Sequence, residues 1–314
     1  MDLELHNEVI FVTHANINYA SRVIALIQSM QGWSSNYKTL VFCHDFETIR
    51  AISHFKFPAV ELLHLGELEA VFPELSLARK NRSEREYFFC LTPFILRFLE
   101  NHRRHRFLVY IDADLYFFSD PIATLNSISK SHLVTIVPHR FSKENIHLEQ
   151  FGKYNVGWMA FQSMKQGNPV LKWWMQRCLE STSTVKDSKY VYGDQKYLDQ
   201  FILISPLVGI DKNINHNVGP WNVKEFISKS SNIAPTYYHF SGFKKFGFLI
   251  IMNLRNYGVV EITHIKEKIY SPYARVISEI ERELRENGLI GKSRYEISLI
   301  WRSIQKKDFF LIVH

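Results

Sequence analysis

Cysteine is scarce in this sequence. The 314 residues contain three, Cys43, Cys90 and Cys178, which lie far apart and include no pair at the spacing of zinc ligands. Because their neighbours are apolar and their number is odd, we expect them to be buried thiols of the core. Such usage is typical of a protein in a reducing compartment.

Glycine-rich phosphate motifs are missing. The sequence contains neither the Gly-x-Gly-x-x-Gly pattern of dinucleotide-binding proteins nor the P-loop of Walker-type NTPases. The loop after the first predicted strand is His14-Ala15-Asn16-Ile17-Asn18-Tyr19 instead. These absences argue against both classes of nucleotide-binding protein.

Long apolar runs are absent as well. The longest one near the C-terminus, Phe246 to Leu254, has about half the length of a membrane span. The first residues, MDLELHNEV, are acidic and lack the basic and apolar regions of a secretory signal. We therefore expect a cytoplasmic protein. Its basic C-terminal tail can bind it to the inner face of the membrane.

Positive charge is concentrated near the C-terminus. The chain has a net charge of +7, and residues 241–314 hold 13 Lys and Arg against 8 Asp and Glu. This excess suits anionic partners such as nucleotide phosphates or acidic lipid headgroups. No nucleic-acid-binding motif and no run of Lys and Arg is present, so we expect no nucleic-acid partner.

Strand-like and helix-like patterns alternate in the first part of the chain. A helical stripe of apolar residues covers 20–30, and β-rich apolar runs cover 9–13, 38–43 and 59–65. This alternation is typical of a mostly parallel sheet flanked by helices. We expect an α/β domain over residues 1–254, followed by a basic, helical C-terminal extension over 255–314.

The middle of the chain continues the pattern. A helix over 79–102 has Ser83 and Glu86 at the spacing of a capping box, and Thr92-Pro93 is expected to restart it. Asn168 and Pro169 open a later helix. Further strands are predicted at 107–111, 132–138 and 153–162.

Two aspartates follow the most apolar of these strands. Phe107 to Ile111 reads as a central strand covered on both faces, and Asp112 and Asp114 come directly after it. If strand geometry persists, both carboxylates leave the same face and can hold Mg²⁺ or Mn²⁺ with positions open for a diphosphate. The alternative is that they only close the strand in a turn. Their place at a strand's carboxyl end favours the ligand interpretation.

Other candidates each have a structural alternative. Thr13 and His14 either contact a nucleotide base or cap the next helix, and Tyr19 ends the same loop. The basic side chains of Arg79, Lys80, Arg82 and Arg85 either reach a diphosphate or form a solvated helix end.

Two further polar residues have either a structural or a functional role. Asp194, in Gly193-Asp194-Gln195, either caps a helix or lines a site. His239 ends an apolar strand, where a lone histidine is usually a core residue, but a histidine that joins two carboxylates completes a facial metal site.

Five blocks in order resemble a known family. The sequence YIDADLYFFSDP, YNVGWMAFQ, YGDQKYLDQF, HNVGPWN and YHFSGFKK is similar to nucleotide-diphospho-sugar transferases of the GT-A fold, and in particular to glycosyltransferase family 8-like enzymes and bacterial proteins of surface-polysaccharide synthesis. The resemblance spans about residues 7–250. It implies a GT-A α/β fold and transfer of a sugar, most simply from a uridine diphosphate sugar, to a hydroxyl of a glycan or lipid-linked acceptor.

The resemblance also implies roles for single residues. Asp112, Asp114 and His239 would bind Mn²⁺ or Mg²⁺, with Ala113 against the donor. The donor sugar would be lined by Asn155, Gly157, Asp194 and Gln195, and the diphosphate would be bound by Gly242, Lys244 and Lys245. Asp194 would act as nucleophile, base or sugar-hydroxyl ligand, and the family favours retention of the anomeric configuration.

Two other functions are compatible with the residues. A phosphohydrolase of the haloacid-dehalogenase type also has Asp-x-Asp after an apolar strand, although Tyr116-Phe117 stands where that type has Thr or Val. The other is a non-catalytic sugar-nucleotide or glycan-binding protein of the same fold.

The C-terminal segment has two interpretations. An amphipathic helix is predicted over 274–287, with Gly288 as its stop, and residues 292–314 mix aromatic and basic side chains. The segment either docks on an anionic membrane, where lipid-linked acceptors reside, or packs on the body of the protein.

Overall fold

The computed structural model describes residues 9–33, 37–127, 131–164, 167–185, 192–230, 234–291 and 297–312. The strands are β1 (Val9–Ala15), β2 (Lys38–Cys43), β3 (Val60–His64), β4 (Phe107–Ile111), β5 (Leu115–Phe117), β6 (Val134–Pro138), β7 (Tyr154–Gln162), β8 (Val208–Ile210), β9 (Tyr237–His239), β10 (Lys244–Phe246), β11 (Leu249–Ile251) and β12 (Phe309–Leu311). The α-helices are α1 (Ala20–Gln31), α2 (Phe46–Ser53), α3 (Leu65–Val71), α4 (Glu74–Asn81), α5 (Glu84–His102), α6 (Pro169–Glu180), α7 (Phe201–Ile204), α8 (Val223–Lys229), α9 (Thr263–Ile265), α10 (Ser271–Glu286) and α11 (Ile297–Gln305).

A seven-stranded sheet forms the centre of the fold, in the order β3-β2-β1-β4-β7-β6-β8. Strands β3, β2, β1 and β4 are parallel, β7 is antiparallel to both of its neighbours, and β8 is parallel to β6. Helices flank the sheet, so the predicted mixed, mostly parallel α/β fold is confirmed. The predicted strands lie within two residues of the observed ones, and the central strand β4 is buried on both faces as its apolar run predicts.

Helix α5 corrects one prediction. Its capping box is present as expected, with the Ser83 side chain accepting from the backbone of Glu86. The predicted restart at Thr92-Pro93 is wrong, because α5 continues through Pro93 without a break. Proline removes one helical hydrogen bond, but Thr92 and Pro93 lie in the buried stretch of the helix, where packing on both sides holds the helical path.

The C-terminal part packs on the first helix. Ile277 and Ile280 of α10 belong to the same buried cluster as Val23 and Ile27 of α1. Helix α10 starts at Ser271, three residues before the predicted start, because Pro272 is well accommodated in a first turn. The apolar face of α10 is therefore covered by the body of the protein, as the packing interpretation expects.

Two composition-based expectations concern burial and membranes. All three cysteines are free thiols and buried, as predicted for core residues. Within the described ranges, no helix has the length and apolar character needed to cross a bilayer.

Candidate functional site

Strand β4 ends at the first candidate aspartate. It pairs with β7 as far as Ile111, after which the Asp112 amide donates to the Gly157 carbonyl at 3.0 Å and the chain turns into β5. The expectation that strand geometry aligns the two carboxylates is wrong, since residues 112–114 form a turn. The turn nevertheless places Asp112 and Asp114 side by side.

Strand β9 brings the histidine to this turn. It pairs with β5 so that His239 lies opposite Leu115, and the Phe240 amide donates to the Asp114 carbonyl at 2.9 Å. The His239 Nε2 atom lies 3.1 Å from Asp114 Oδ1 and 3.6 Å from Asp112 Oδ2. One ligand atom from each of the three side chains fits within 4.8 Å, which is the spacing of a facial metal site.

Charge and burial oppose each other in this cluster. Burial raises the pKa of Asp112 to about 6. Burial also acts to raise the pKa of Asp114, but the charge and hydrogen bond of His239 outweigh it and lower that pKa. In turn, the two carboxylates overcome the effect of burial and raise the pKa of His239. The two acids thus favour a protonated His239, and a divalent cation bound at the three side chains would displace that proton.

The ligand atoms suit Mn²⁺ or Mg²⁺. Two carboxylates and one imidazole are hard or borderline ligands on one side of a cation, which leaves the other side for substrate oxygens. The side chain of Asp112 is 31% exposed, so this side opens to solvent. Nδ1 of His239 is buried and has no hydrogen-bond partner among the described residues.

Asn155 and Gly157 of β7 lie directly behind the histidine. A Cβ atom on Gly157 would lie 2.7 Å from both His239 Nδ1 and Asn155 Oδ1. The pairing of β7 with β6 shifts register beside these residues, between Ile136 and Val137. A bulge and a close approach of the histidine ring therefore occur together at this glycine.

Asp194 and Gln195 lie beyond this strand. Asp194 occupies the N-cap position of a 3₁₀-helix, as the capping alternative expects, but its side chain makes no capping hydrogen bond. Burial, and then the charge of Asp112, raise the pKa of Asp194 to about 8, which keeps the carboxyl protonated at neutral pH. The Gln195 amide donates to the Phe151 carbonyl at 3.2 Å.

The end of β1 forms the opposite flank. Here His14 Nδ1 lies 2.9 Å from His44 Nε2, and the two rings stack. Burial lowers the pKa of His14 to about 4, so its ring is neutral. The expected alternative of helix capping by Thr13 or His14 is wrong, since Asn16 occupies the cap. A cavity of about 470 Å³ adjoins this flank and is lined by Asn16, His44, Asp45, Arg79, Tyr87 and Phe88, among others.

Arg22 is a cation that the sequence reasoning missed. Its guanidinium stacks on Tyr19 at 4.6 Å and donates to the Phe243 carbonyl at 3.0 Å. Its charge contributes to the low pKa of Asp114, and the charge of Asp114 in turn acts on Tyr19. One signal was available, because Arg22 follows Tyr19 by three residues in the first turn of α1.

The other predicted cations lie differently. Lys245 is held by Glu281 of α10 at 2.9 Å and is therefore committed to the C-terminal helix. Gly242 has a φ of +75°, in the turn that leads to Lys244 on β10.

In the basic run over residues 79–85, Arg82 donates to the Cys178 and Leu179 carbonyls, and Arg79 pairs with Glu69 at 3.0 Å. Arg82 is thus tied to α6, while Arg79 and Arg82 both line the cavity of about 470 Å³ beside β1.

The fold and the cluster at its edge define a protein with the GT-A glycosyltransferase fold. The bifunctional glycosyltransferase WbbM has a similar structure, with a TM-score of 0.53 at 16% identity over 90% of this chain and 52% of WbbM. Mouse xyloside xylosyltransferase 1 gives a TM-score of 0.51 at 11% identity over 75% of this chain and 97% of that chain.

The sequence itself identifies nearer relatives. No family model matches the chain. The uncharacterized protein YfnF of Bacillus subtilis (strain 168) is 30% identical over 240 residues, which cover 71% of this chain and 78% of YfnF. The chain belongs to the same family as YfnF.

Proposed function

We propose that this protein is a metal-dependent glycosyltransferase that uses a nucleotide diphosphate sugar, in particular a uridine diphosphate sugar. The acceptor is a hydroxyl of a glycan or of a lipid-linked sugar, and the anomeric configuration is retained, as in family 8-like enzymes. The observation that carries the proposal is the convergence of Asp112, Asp114 and His239 at the carboxyl edge of a GT-A sheet.

In this proposal the diphosphate leaving group lies beside Asp112, Asp114 and His239. Transfer forms a bond between the acceptor oxygen and the anomeric carbon and breaks the bond from that carbon to the diphosphate, and the acceptor proton passes to an oxygen of the departing diphosphate. When bound, Mn²⁺ or Mg²⁺ supplies positive charge that stabilises the departing diphosphate. Asp112, Asp114 and His239 fix that charge, and Arg22 adds a second cation beside Asp114. Gly242 and Lys244 follow on the same segment and complete the proposed diphosphate contacts.

The nucleotide lies along the β1 flank in this proposal. Thr13, His14 and Tyr19 contact the base and ribose, and Ala113 packs on the donor between the two aspartates. A neutral His14 supports this role, because an uncharged ring can stack on or hydrogen-bond to a base without losing the hydration of a charge.

The donor sugar lies between β7 and the Gly-Asp-Gln segment. Asn155 and Gln195 offer amide groups, and Gly157 leaves room beside them. Since Asp194 is protonated at neutral pH, it suits a hydrogen bond to a sugar hydroxyl better than nucleophilic attack, which needs the carboxylate. We assign it the role of a sugar-hydroxyl ligand.

An anionic membrane surface is the proposed location of a lipid-linked acceptor. Because α10 is covered, the support comes from Phe248, Trp301 and Leu311, each more than 60% exposed. Strand β12 pairs with β11 through Leu311 and Leu249, and the Ile312 amide donates to the Phe248 carbonyl, so Phe248 and Leu311 lie close together. The surrounding segment is basic, and aromatic and basic side chains together suit an interface of anionic lipid.

A thermal-shift panel tests the function. We expect uridine diphosphate with Mn²⁺ to raise the melting temperature of the wild type, and a ligand at 100 times its Kd stabilises a protein by about 2.7 kcal/mol. Asp114→Asn should abolish this shift, whereas Glu286→Gln, the same change of charge on the exposed face of α10, should preserve it. No shift with any nucleotide, or phosphate release from simple monoesters, would count against the proposal.

A further inference from the structure

An exposed apolar surface lies at one end of the central sheet. Strand β8 is the last strand in the sheet order, and no described strand pairs with its outer side. Helix α7 comes just before β8 along the chain. These two elements and the turn between them expose 37–79% of five large aliphatic residues, which are Ile202, Leu203, Ile204, Leu207 and Ile210. We call these five residues the edge patch.

Helix α7 and β8 present the edge patch on the same face of the sheet. Val208 packs against the buried cluster that contains Phe201, the first residue of α7. Because alternate residues of a strand point to the same side, Ile210 faces the same way as Val208. The aliphatic side chains of the helix and of the strand thus share one surface.

The backbone of β8 also has an outward side. The Leu207 carbonyl accepts from the Leu133 amide at 2.9 Å, beside β6. The Asp211 amide donates to the Ile136 carbonyl of β6, also at 2.9 Å. Since successive residues of a strand direct their backbone groups to opposite sides, the amide and carbonyl of Ile210 point away from β6. Such an edge can pair with a strand of another chain.

Charge is nearly absent from this surface. Residues 201–214 contain two charged side chains, Asp211 and Lys212, and Asp211 is buried 2.7 Å from His216. Lys212 is therefore the one exposed charge of this range, although 22% of the whole chain is charged. Because each copy of the chain carries a net charge of +7, two copies repel each other unless they meet at a neutral surface. The centres of protein interfaces are depleted of charge in the same way.

The position of the edge patch argues against lipid as its partner. Leu40 of β2 belongs to the cluster beneath the edge patch, whereas its neighbour Val41 belongs to the cluster beneath α10. The edge patch and α10 thus lie on opposite faces of the sheet. Phe310 of β12 belongs to the second cluster as well, so a membrane bound by the C-terminal segment would lie away from the edge patch.

We propose that the edge patch is the contact between two copies of this chain, related by a two-fold axis. Such an axis places the same surface on both copies, so apolar side chains meet apolar side chains and two β8 edges run antiparallel. The five residues expose roughly 450 Å², so two copies with their rims bury about 1,000 Å² in total, the lower limit of specific interfaces. The dimer is therefore weak and reversible. Strands β6 and β7 separate β8 from β4, which leaves the metal cluster outside the contact, and the inference does not depend on the proposed function.

Sedimentation equilibrium tests the dimer. We expect the mean mass of the full chain to rise from 37.0 kDa towards twice that value as the concentration increases to about 100 μM. Leu203→Asp should raise the Kd of the dimer at least about a hundredfold, because the two-fold axis buries the new charge twice. Val260→Asp is the matched control, since Val260 is also highly exposed and lies outside the edge patch, and it should leave the Kd unchanged.

Two further measurements complete the test. The melting temperatures of Leu203→Asp and Val260→Asp, measured at a concentration where the wild type is a monomer, should match that of the wild type and show that both variants are folded. If the wild type stays at 37.0 kDa at every concentration, or if Leu203→Asp associates as the wild type does, the proposed contact is wrong. A monomer that binds phosphatidylcholine vesicles, and loses this binding in Leu203→Asp, would also overturn the proposal, because lipid would then cover the edge patch.

Discussion

At the scale of the residue, the missing side chain at position 157 decides where His239 can lie. Its Nδ1 atom occupies space that a Cβ atom would need. Glycine has a low strand propensity, but at position 157 it leaves the space that allows His239 to lie close to Asp112 and Asp114.

Gly157→Ala should weaken the metal cluster. The added methyl group would push His239 away from Asp112 and Asp114, and we expect the affinity for Mn²⁺ to fall by at least about tenfold, or about 1.4 kcal/mol. Isothermal titration with Mn²⁺ measures this. Gly32→Ala is the matched control, since its Cβ would meet nothing nearer than 3.9 Å. Equal affinities in the two variants would show that His239 can move without loss.

Asp194 gives a pH dependence of stability. Its folded pKa of about 8 lies well above the value near 4 of an unfolded aspartate, so folding takes up a proton between these values. The stability that this carboxyl contributes is complete below about pH 4 and is lost as the pH rises through 8.

Asp194→Asn should remove that loss, because an amide has no proton to release. We expect the melting temperature of the variant to rise relative to that of the wild type between pH 5 and about pH 8. Above pH 8 the difference between the two melting temperatures should stay constant. Differential scanning calorimetry in EDTA measures the gap without metal. A gap that stays constant with pH would contradict the high pKa.

At the scale of the element, the segment 211–222 holds β9 in place. Its Val218 carbonyl accepts from the His239 amide at 2.7 Å. The segment is itself fixed by the buried pair of Asp211 and His216, 2.7 Å apart, and by Arg140, which donates to the backbone carbonyls of both. A turn-rich loop is thus held by a buried ion pair and by side-chain hydrogen bonds to its backbone.

Arg140→Ala should destabilise the whole protein. Two carbonyls would lose their donor, and each buried acceptor left unpaired costs about 1–3 kcal/mol. Arg50→Ala is the matched control, because Arg50 is 69% exposed in a surface pair with Glu47, which is worth about 0–1 kcal/mol. Urea unfolding measures both free energies. A loss in Arg140→Ala no larger than in Arg50→Ala would show that the loop is held by other contacts.

The elements were predictable where local signals and packing agree. Solid apolar runs gave β2 and β4 with the observed limits, and Asn168-Pro169 gave the start of α6. Helix α5 was divided wrongly at Pro93 because the surrounding core, which no local pattern reveals, keeps it continuous. A turn at Asp112 and Asp114 was one of two alternatives in the sequence, and the contacts that accompany it come from β9, which is distant in sequence.

At the scale of the whole molecule, the candidate site was predictable only in part. Asp112, Asp114 and His239 were grouped by the resemblance to GT-A transferases, and the structure does place their side chains together. Arg22 carries no such signal, since its position depends on how α1 packs in three dimensions. The division at residue 254 stays a prediction, and the shared cluster of α1 and α10 indicates that the two parts fold together.

Membrane docking is a prediction about the whole surface. We expect the wild type to sediment with phosphatidylglycerol vesicles and not with phosphatidylcholine vesicles, because the C-terminal segment is basic. Replacing Trp301 and Leu311 together by serine should remove more than half of the bound protein, whereas Phe46→Ser, at an equally exposed ring elsewhere, should not. Equal sedimentation of all variants with both lipids would remove the proposal.

Strand β9 has a consequence for how distant regions communicate. Neighbouring residues of a strand point to opposite sides, and Tyr238 reaches the C-terminal helices, where its hydroxyl lies 3.1 Å from that of Tyr270. The imidazole of His239 and this phenol thus project from adjacent positions of one short strand. A cation bound by His239 would therefore also fix the position of Tyr238, so mutations in the last fifth of the polypeptide should change the affinity for metal.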